Sequence, residues 1–199
     1  MPISSEFYVK HADLMNMVRE AYGQKYRMYH TMCHINKMLE GYKELVKAGL
    51  IEYNELDVII ICMHDFVYQG NSDNNEFDSA RYARFYLEDH GYSKVDIAYV
   101  HNGIMATQSH EATNNLVYNY ILDLDCQYLG ESKDVYNLSV AGIRCEYLYW
   151  VERRYWDYGR RNWLQSTLKR DTIFHSLYFQ EKYELAAREN LKRELGDYI

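Results

Sequence analysis

Apolar residues recur along this chain at the spacing of a helix. Leu14, Met17, Val18 and Tyr22 fall on one face at steps of three, one and four. The pattern resumes over 26–48 through Tyr26, Tyr29, Ile35, Met38, Leu39, Tyr42 and Leu45, and Gly49 ends it. Residues 53–68 make a third helical run, apolar enough to be mostly buried. Gln69 to Asn75 is the clearest loop, rich in Gly, Ser, Asp and Asn. Helical spacing returns from Phe77 to Asp89 and stops at His90-Gly91, and Ser93 suits the N-cap of a helix over 94–106. Further helices are predicted over 111–129, with Gly130 as the stop, and over 133–157, 160–170 and 173–195. Val58 to Cys62 is β-branched but has no turns or alternating partners beside it. The pattern predicts an all-α fold: one domain of about seven to nine helices.

Composition narrows the picture. At 199 residues the chain is long enough for one sizeable core. A single proline suits long, unbroken helices. The 22 tyrosines read first as half-buried helix surfaces and second as surfaces for stacking a ligand. A net charge of -7 with no basic run argues against duplex nucleic acid and leaves room for a small phosphorylated ligand. Cys33, Cys62, Cys126 and Cys145 form no CxxC pair, which disfavours a zinc ribbon or a thioredoxin-type site. Free thiols without a signal peptide point to a cytoplasmic location, and no apolar stretch is long enough to span a membrane. The aromatic C-terminal third suits either a homodimer face or a cover for the core.

The chemistry centres on His64-Asp65, which ends the apolar run Val58 to Met63 and precedes Phe66-Val67-Tyr68. Imidazole and carboxylate in an apolar setting are costly unless paired or bound to a metal. His30 and His34 lie four apart and, on a continuous helix, would share a face with Arg27. By themselves they read as polar residues on a wet face. With His64-Asp65 and a distal Asp123-Leu124-Asp125, a metal site assembled from several helices becomes the better reading. On a helix Asp123 and Asp125 would point about 200° apart, so only one should bind.

The ordered elements are Arg27-x-Tyr29-His30-x-x-x-His34, His64-Asp65-Phe66-Val67-Tyr68, Asn75-Glu76-x-x-Ser79-Ala80 and Thr107-x-x-His110. They continue through Asp123-Leu124-Asp125, Ile143-Arg144-x-Glu146-Tyr147, Tyr158-Gly159-Arg160, Leu168-x-Arg170 and Glu184-x-x-Ala187-Arg188-x-Asn190-Leu191. This set resembles the HD superfamily of metal-dependent phosphohydrolases, and more narrowly its family of predicted HD-type phosphohydrolases. The resemblance implies a helical HD core over about 14–130 and a helical extension over about 131–199. It implies one divalent metal per chain (Mn, Fe, Zn or Mg) on His34, His64, Asp65 and Asp125, with Asp123 as the alternative last ligand. Tyr29-His30-x-x-x-His34 is also similar to a segment of cyclic-nucleotide phosphodiesterases, in which the second histidine binds metal and the first protonates the leaving group. That assigns His34 as ligand and His30 as general acid.

Other residues have candidate roles. Arg27 would hold a phosphate oxygen or form a surface ion pair. Glu76 would hold a metal-bound water or a ligand histidine, or simply favour a helix N-terminus. Thr107 and His110 would line the substrate pocket. Arg144, with Arg160 and Arg170 among aromatics, would clamp a phosphate or build a helix seam. His11, His90 and His175 have no supporting context. The implied activity is hydrolysis of a small phosphate ester, a nucleotide or nucleotide-like metabolite, by a metal-activated water. The alternatives are an HD-type di-iron oxygenase that also uses His101 and His110, and a non-catalytic nucleotide-binding module.

Overall fold

The computed structural model describes residues 5–198, and among these it has ten α-helices, one 3₁₀ turn and no strand. The helices are α1 (Ser5–Lys10), α2 (Ala12–Tyr22), α3 (Met32–Lys47), α4 (Glu55–Met63) and α5 (Asn75–Asp89). They continue with α6 (Lys94–Ser109), α7 (Leu116–Asp125), the 3₁₀ turn Gln127–Gly130, α8 (Lys133–Trp150), α9 (Arg153–Leu168) and α10 (Leu177–Gly196). The all-helical expectation is met, with ten helices among the described residues rather than the seven to nine expected, since α1 was not foreseen. No helix among the described residues is long and apolar enough to cross a membrane.

The core is built around α4. Every residue from Leu56 to Met63 is buried, so the helix is apolar nearly all round and lies inside the bundle. Packed against it are α3, α5 and α6. Each of the fully buried Val58, Ile59, Ile60 and Ile61 contributes roughly 1.5–3 kcal/mol by leaving water. The helix starts where Asn54 Oδ1 accepts from the Leu56 N–H at 3.0 Å. Its end delivers His64 and Asp65 into the interior. Gly103 of α6 permits close packing here, because a Cβ would come 3.0 Å from Ile60 Cγ1 and 3.1 Å from Tyr118 Cε1.

Several boundaries depart from the apolar pattern, and the largest departures have a visible form. The run over 26–48 becomes helical only at Met32. The N–H groups of Met28, Tyr29 and His30 donate instead to Glu146 Oε1, at 2.6, 2.7 and 2.9 Å. A carboxylate from α8 thus displaces the first helical turns, and Thr31 caps α3 by accepting from the Cys33 N–H at 3.3 Å. The run over 111–129 starts at Leu116, where Asn115 Oδ1 accepts from Val117 and Tyr118, and closes in the 3₁₀ turn. The run over 133–157 breaks at Val151 and Glu152, both extended, and separates α8 from α9.

The C-terminal helices are fastened by buried polar groups. Arg160 Nε and Nη2 each donate to Glu194 at 2.9 Å, and Tyr136 donates to the same carboxylate. Gly130 lies against α10, where a Cβ would come 2.7 Å from the Tyr183 carbonyl oxygen. Asn190 donates to the carbonyls of Leu129 and Glu131, both at 2.9 Å.

Candidate metal centre

Three helices meet at a small polar cluster. His34 lies in the first turn of α3, His64 just past α4, and Asp125 at the end of α7. One ligand atom from each lies within 4.8 Å of the others, so the group could hold a metal ion. Asp125 Oδ1 is 3.0 Å from His34 Nε2 and 3.6 Å from His64 Nε2. His64 Nδ1 donates to the Ile61 carbonyl at 2.9 Å, which leaves Nε2 as the free ring nitrogen. His34 Nε2 and His64 Nε2 are both buried and neither has a hydrogen-bond partner. Two orphaned imidazole nitrogens facing a carboxylate form a donor set that suits a divalent cation.

The carboxylates make this a point where positive charge is favoured. Burial pushes the His64 imidazole down, but Asp65 and Asp125 outweigh it and raise its pKa well above the usual histidine range. Burial pushes the Asp125 carboxyl up, but the neighbouring imidazoles of His64, His110 and His34 hold it well below the usual carboxylate range. His34 goes the other way, lowered because burial outweighs Asp125.

Asp65 stands beside the trio. Its Oδ2 is 3.1 Å from His64 Nε2 and 3.7 Å from His30 Nε2. Asp123 is turned to α10 instead. Its Oδ1 accepts from the His175 N–H at 2.8 Å, and its Oδ2 accepts from the Ser176 N–H at 2.8 Å and hydroxyl at 2.6 Å. With those partners it anchors the start of α10, and Asp125 is the aspartate of the trio.

His30 is not one helical turn from His34 as the periodicity suggests, because it precedes α3. It still reaches the cluster, with the two rings 5.8 Å apart. Its Nδ1 lies 2.6 Å from Glu146 Oε2, its Nε2 faces Asp65, and Tyr68 packs over the ring at 4.4 Å. Burial lowers the His30 pKa, but Asp65 and Glu146 outweigh it and the net shift is upward. Glu146 is fully buried. Sequence reasoning gave it no role, although a signal existed: it follows Ile143 by three on the buried stripe of α8, where a carboxylate needs partners.

Asp125, Asp65 and His30 line a cleft of about 720 Å³, large enough for a small ligand, while His34 and His64 are not among its lining residues. Glu76, Thr107 and His110 line it. Glu76 is half-buried in the first turn of α5, and chiefly burial pushes its carboxyl up. Thr107 is buried and donates to the Ile104 carbonyl at 2.8 Å. His110 Nε2 lies 2.8 Å from Asp125 Oδ2, and the residue adopts a left-handed backbone at φ 50°. Its carbonyl accepts from His175 Nε2 at 3.1 Å, so His175, unassigned from the sequence, supports the site. Tyr68, Tyr147, Trp156 and Trp163 supply aromatic walls.

Set against family models, curated proteins and solved structures, the chain has no match in any of the three.

Two arginines are placed differently from the expectation. Arg27 is not on the α3 stripe but in the preceding turn, and it does not line the cleft. It donates to the carbonyls of Asp65 at 2.8 Å, Phe66 at 2.9 Å and His30 at 3.3 Å, and to Gln24 at 3.2 Å. Four of the five N–H groups of a guanidinium are thereby engaged in holding the loop. Arg144 also lies outside the lining, with Nη2 4.0 Å from Asp157. His101 does not line the cleft either.

Proposed function

We propose that this chain is a metal-dependent phosphohydrolase with an HD-type helical core, acting on a small phosphate ester of nucleotide or nucleotide-like character. The observation that carries the reading is the pair of orphaned nitrogens, His34 Nε2 and His64 Nε2, grouped with Asp125, which lines a cleft. The order of the residues along the chain supports it, through the resemblance described above. A Mn, Fe, Zn or Mg ion on His34, His64 and Asp125, with Asp65 beside them, would supply a Lewis acid and an acidified water.

The protein's own groups account for the rest. Glu146 fixes His30 through Nδ1, so Nε2 is the nitrogen free to donate a proton to the leaving oxygen. Asp65 and Glu146 favour the protonated ring that this role requires. Tyr68 packed on His30 limits the ring's rotation and shields it from water. The aromatic walls suit a flat organic group, and the base of a nucleotide is one. The oxygenase alternative draws less support, because of its two extra histidines only His110 lines the cleft.

The test is phosphate release by manganese-loaded protein from a panel of nucleotides and generic phosphate esters. Release that disappears in Asp125→Asn supports the reading. His30→Gln should keep the metal and slow turnover by about 10²–10⁴-fold, the usual contribution of a general acid. No release from any ester by fully loaded protein would overturn the reading.

A further inference from the structure

The cleft is rich in carboxylates: Asp65, Asp73, Glu76, Asp123 and Asp125 all line it. A phosphate ester entering it needs cationic groups of the protein as well as a metal. Two arginines and no lysine line the cleft. Arg160 is already committed, since Glu194 receives both its Nε and its Nη2 and its side chain is nearly buried.

Arg170 is different. It lies just past the end of α9, exposed at the rim. Among the described residues its side chain makes one hydrogen bond, from Nη1 to the His110 carbonyl at 3.4 Å, and no carboxylate pairs with it. The bond is long, and His175 holds the same carbonyl at 3.1 Å, so His110 keeps a partner if Arg170 moves. His110 in turn contacts Asp125. A single residue therefore separates the Arg170 head group from the carboxylate of the candidate metal centre. Its remaining N–H groups have the fork geometry that matches two oxygens of a phosphate.

We infer that, of the arginines the sequence offered for phosphate (Arg27, Arg144, Arg160 and Arg170), Arg170 is the one that receives the phosphoryl oxygens of the ligand at the rim of this cleft. The choice of anion rests on the phosphohydrolase reading above. Arg170 binds the phosphoryl group as a cation with directional donors, offsetting the acidic lining. A ligand without an oxyanion would gain nothing from it.

The experiment is equilibrium dialysis of radiolabelled inorganic phosphate against the manganese-loaded full chain, with manganese per chain and helical circular dichroism measured on each sample. Arg170→Met should weaken phosphate binding by about tenfold or more, as loss of a charge-assisted pair does, with manganese and helix content unchanged. Arg170→Lys should recover part of the loss, and Arg144→Met should bind as wild type. Phosphate binding undiminished in Arg170→Met, or absent in the wild type, would overturn the inference. So would an Arg170→Met protein that loses manganese, because the arginine would then be a prop for His110. Binding is read whether or not any ester is hydrolysed, so failure of the phosphohydrolase reading registers separately, as metal-loaded protein without turnover.

Discussion

His30 and Glu146 show how single residues set the chemistry. The carboxylate accepts three backbone N–H groups on one oxygen and meets the imidazole with the other. The pair has a defined pH window. The Glu146 pKa is lowered from 4.5, burial opposing and His30 with the loop amides prevailing, so its stabilisation is present above that value and lost as pH falls through the folded pKa. The His30 pKa is raised from 6.5, so its share is complete below that value and lost as pH rises through the folded pKa. In chelator-treated protein the unfolding free energy of wild type minus Glu146→Gln should therefore peak between pH 4.5 and 6.5 and shrink on both sides. A difference that stays flat from about pH 3 to about pH 9 would contradict the pairing. His64-Asp65 was legible because it ends an apolar run. Glu146 was legible only as a carboxylate three after Ile143, and its partners were not, because they lie more than a hundred residues away in sequence. Arg27 was misplaced for the same reason: the helix that would have put it on a stripe is displaced by Glu146.

At the scale of elements, apolar spacing located the helices well and their ends less well. Ser93 is a boundary the sequence did announce. Its hydroxyl accepts from the Asp96 N–H at 3.2 Å, and the Asp96 carboxylate reaches back to the Ser93 N–H at 3.2 Å. Ser93→Ala should lower stability by about 1 kcal/mol in denaturant unfolding, with cleft chemistry unaffected. Gly130 was read only as a helix stop, whereas its lack of a side chain also lets the 3₁₀ turn lie against α10. Gly130→Ala should be destabilising by about 1–3 kcal/mol, since backbone rather than a flexible side chain blocks the added methyl. The break at Val151 and Glu152 has no Pro or Gly to mark it, and the aromatic run through it reads as one helix.

For the whole molecule, the question is what holds α8 to α10 over the cleft, since His30 and the aromatic walls depend on α8 and α9. Arg160 and Glu194 pair almost out of water, at 7% and 10% side-chain exposure, and join α9 to α10. Removing one partner strands the other charge, so Glu194→Ala should cost about 3–5 kcal/mol of unfolding free energy. The candidate metal ligands lie on α3, α7 and the end of α4, so on the proposed function a loosened α9–α10 seam should reduce turnover more than metal uptake. The measurement that reaches the central claim most directly is manganese bound per chain after dialysis, by mass spectrometry, for wild type, His64→Gln and Asp125→Asn. The account predicts about one metal in the wild type and its loss in both variants, with helix content retained, as expected when a site loses one of few ligands. A wild type that binds none, or an Asp125→Asn protein that binds as much as the wild type, would contradict it.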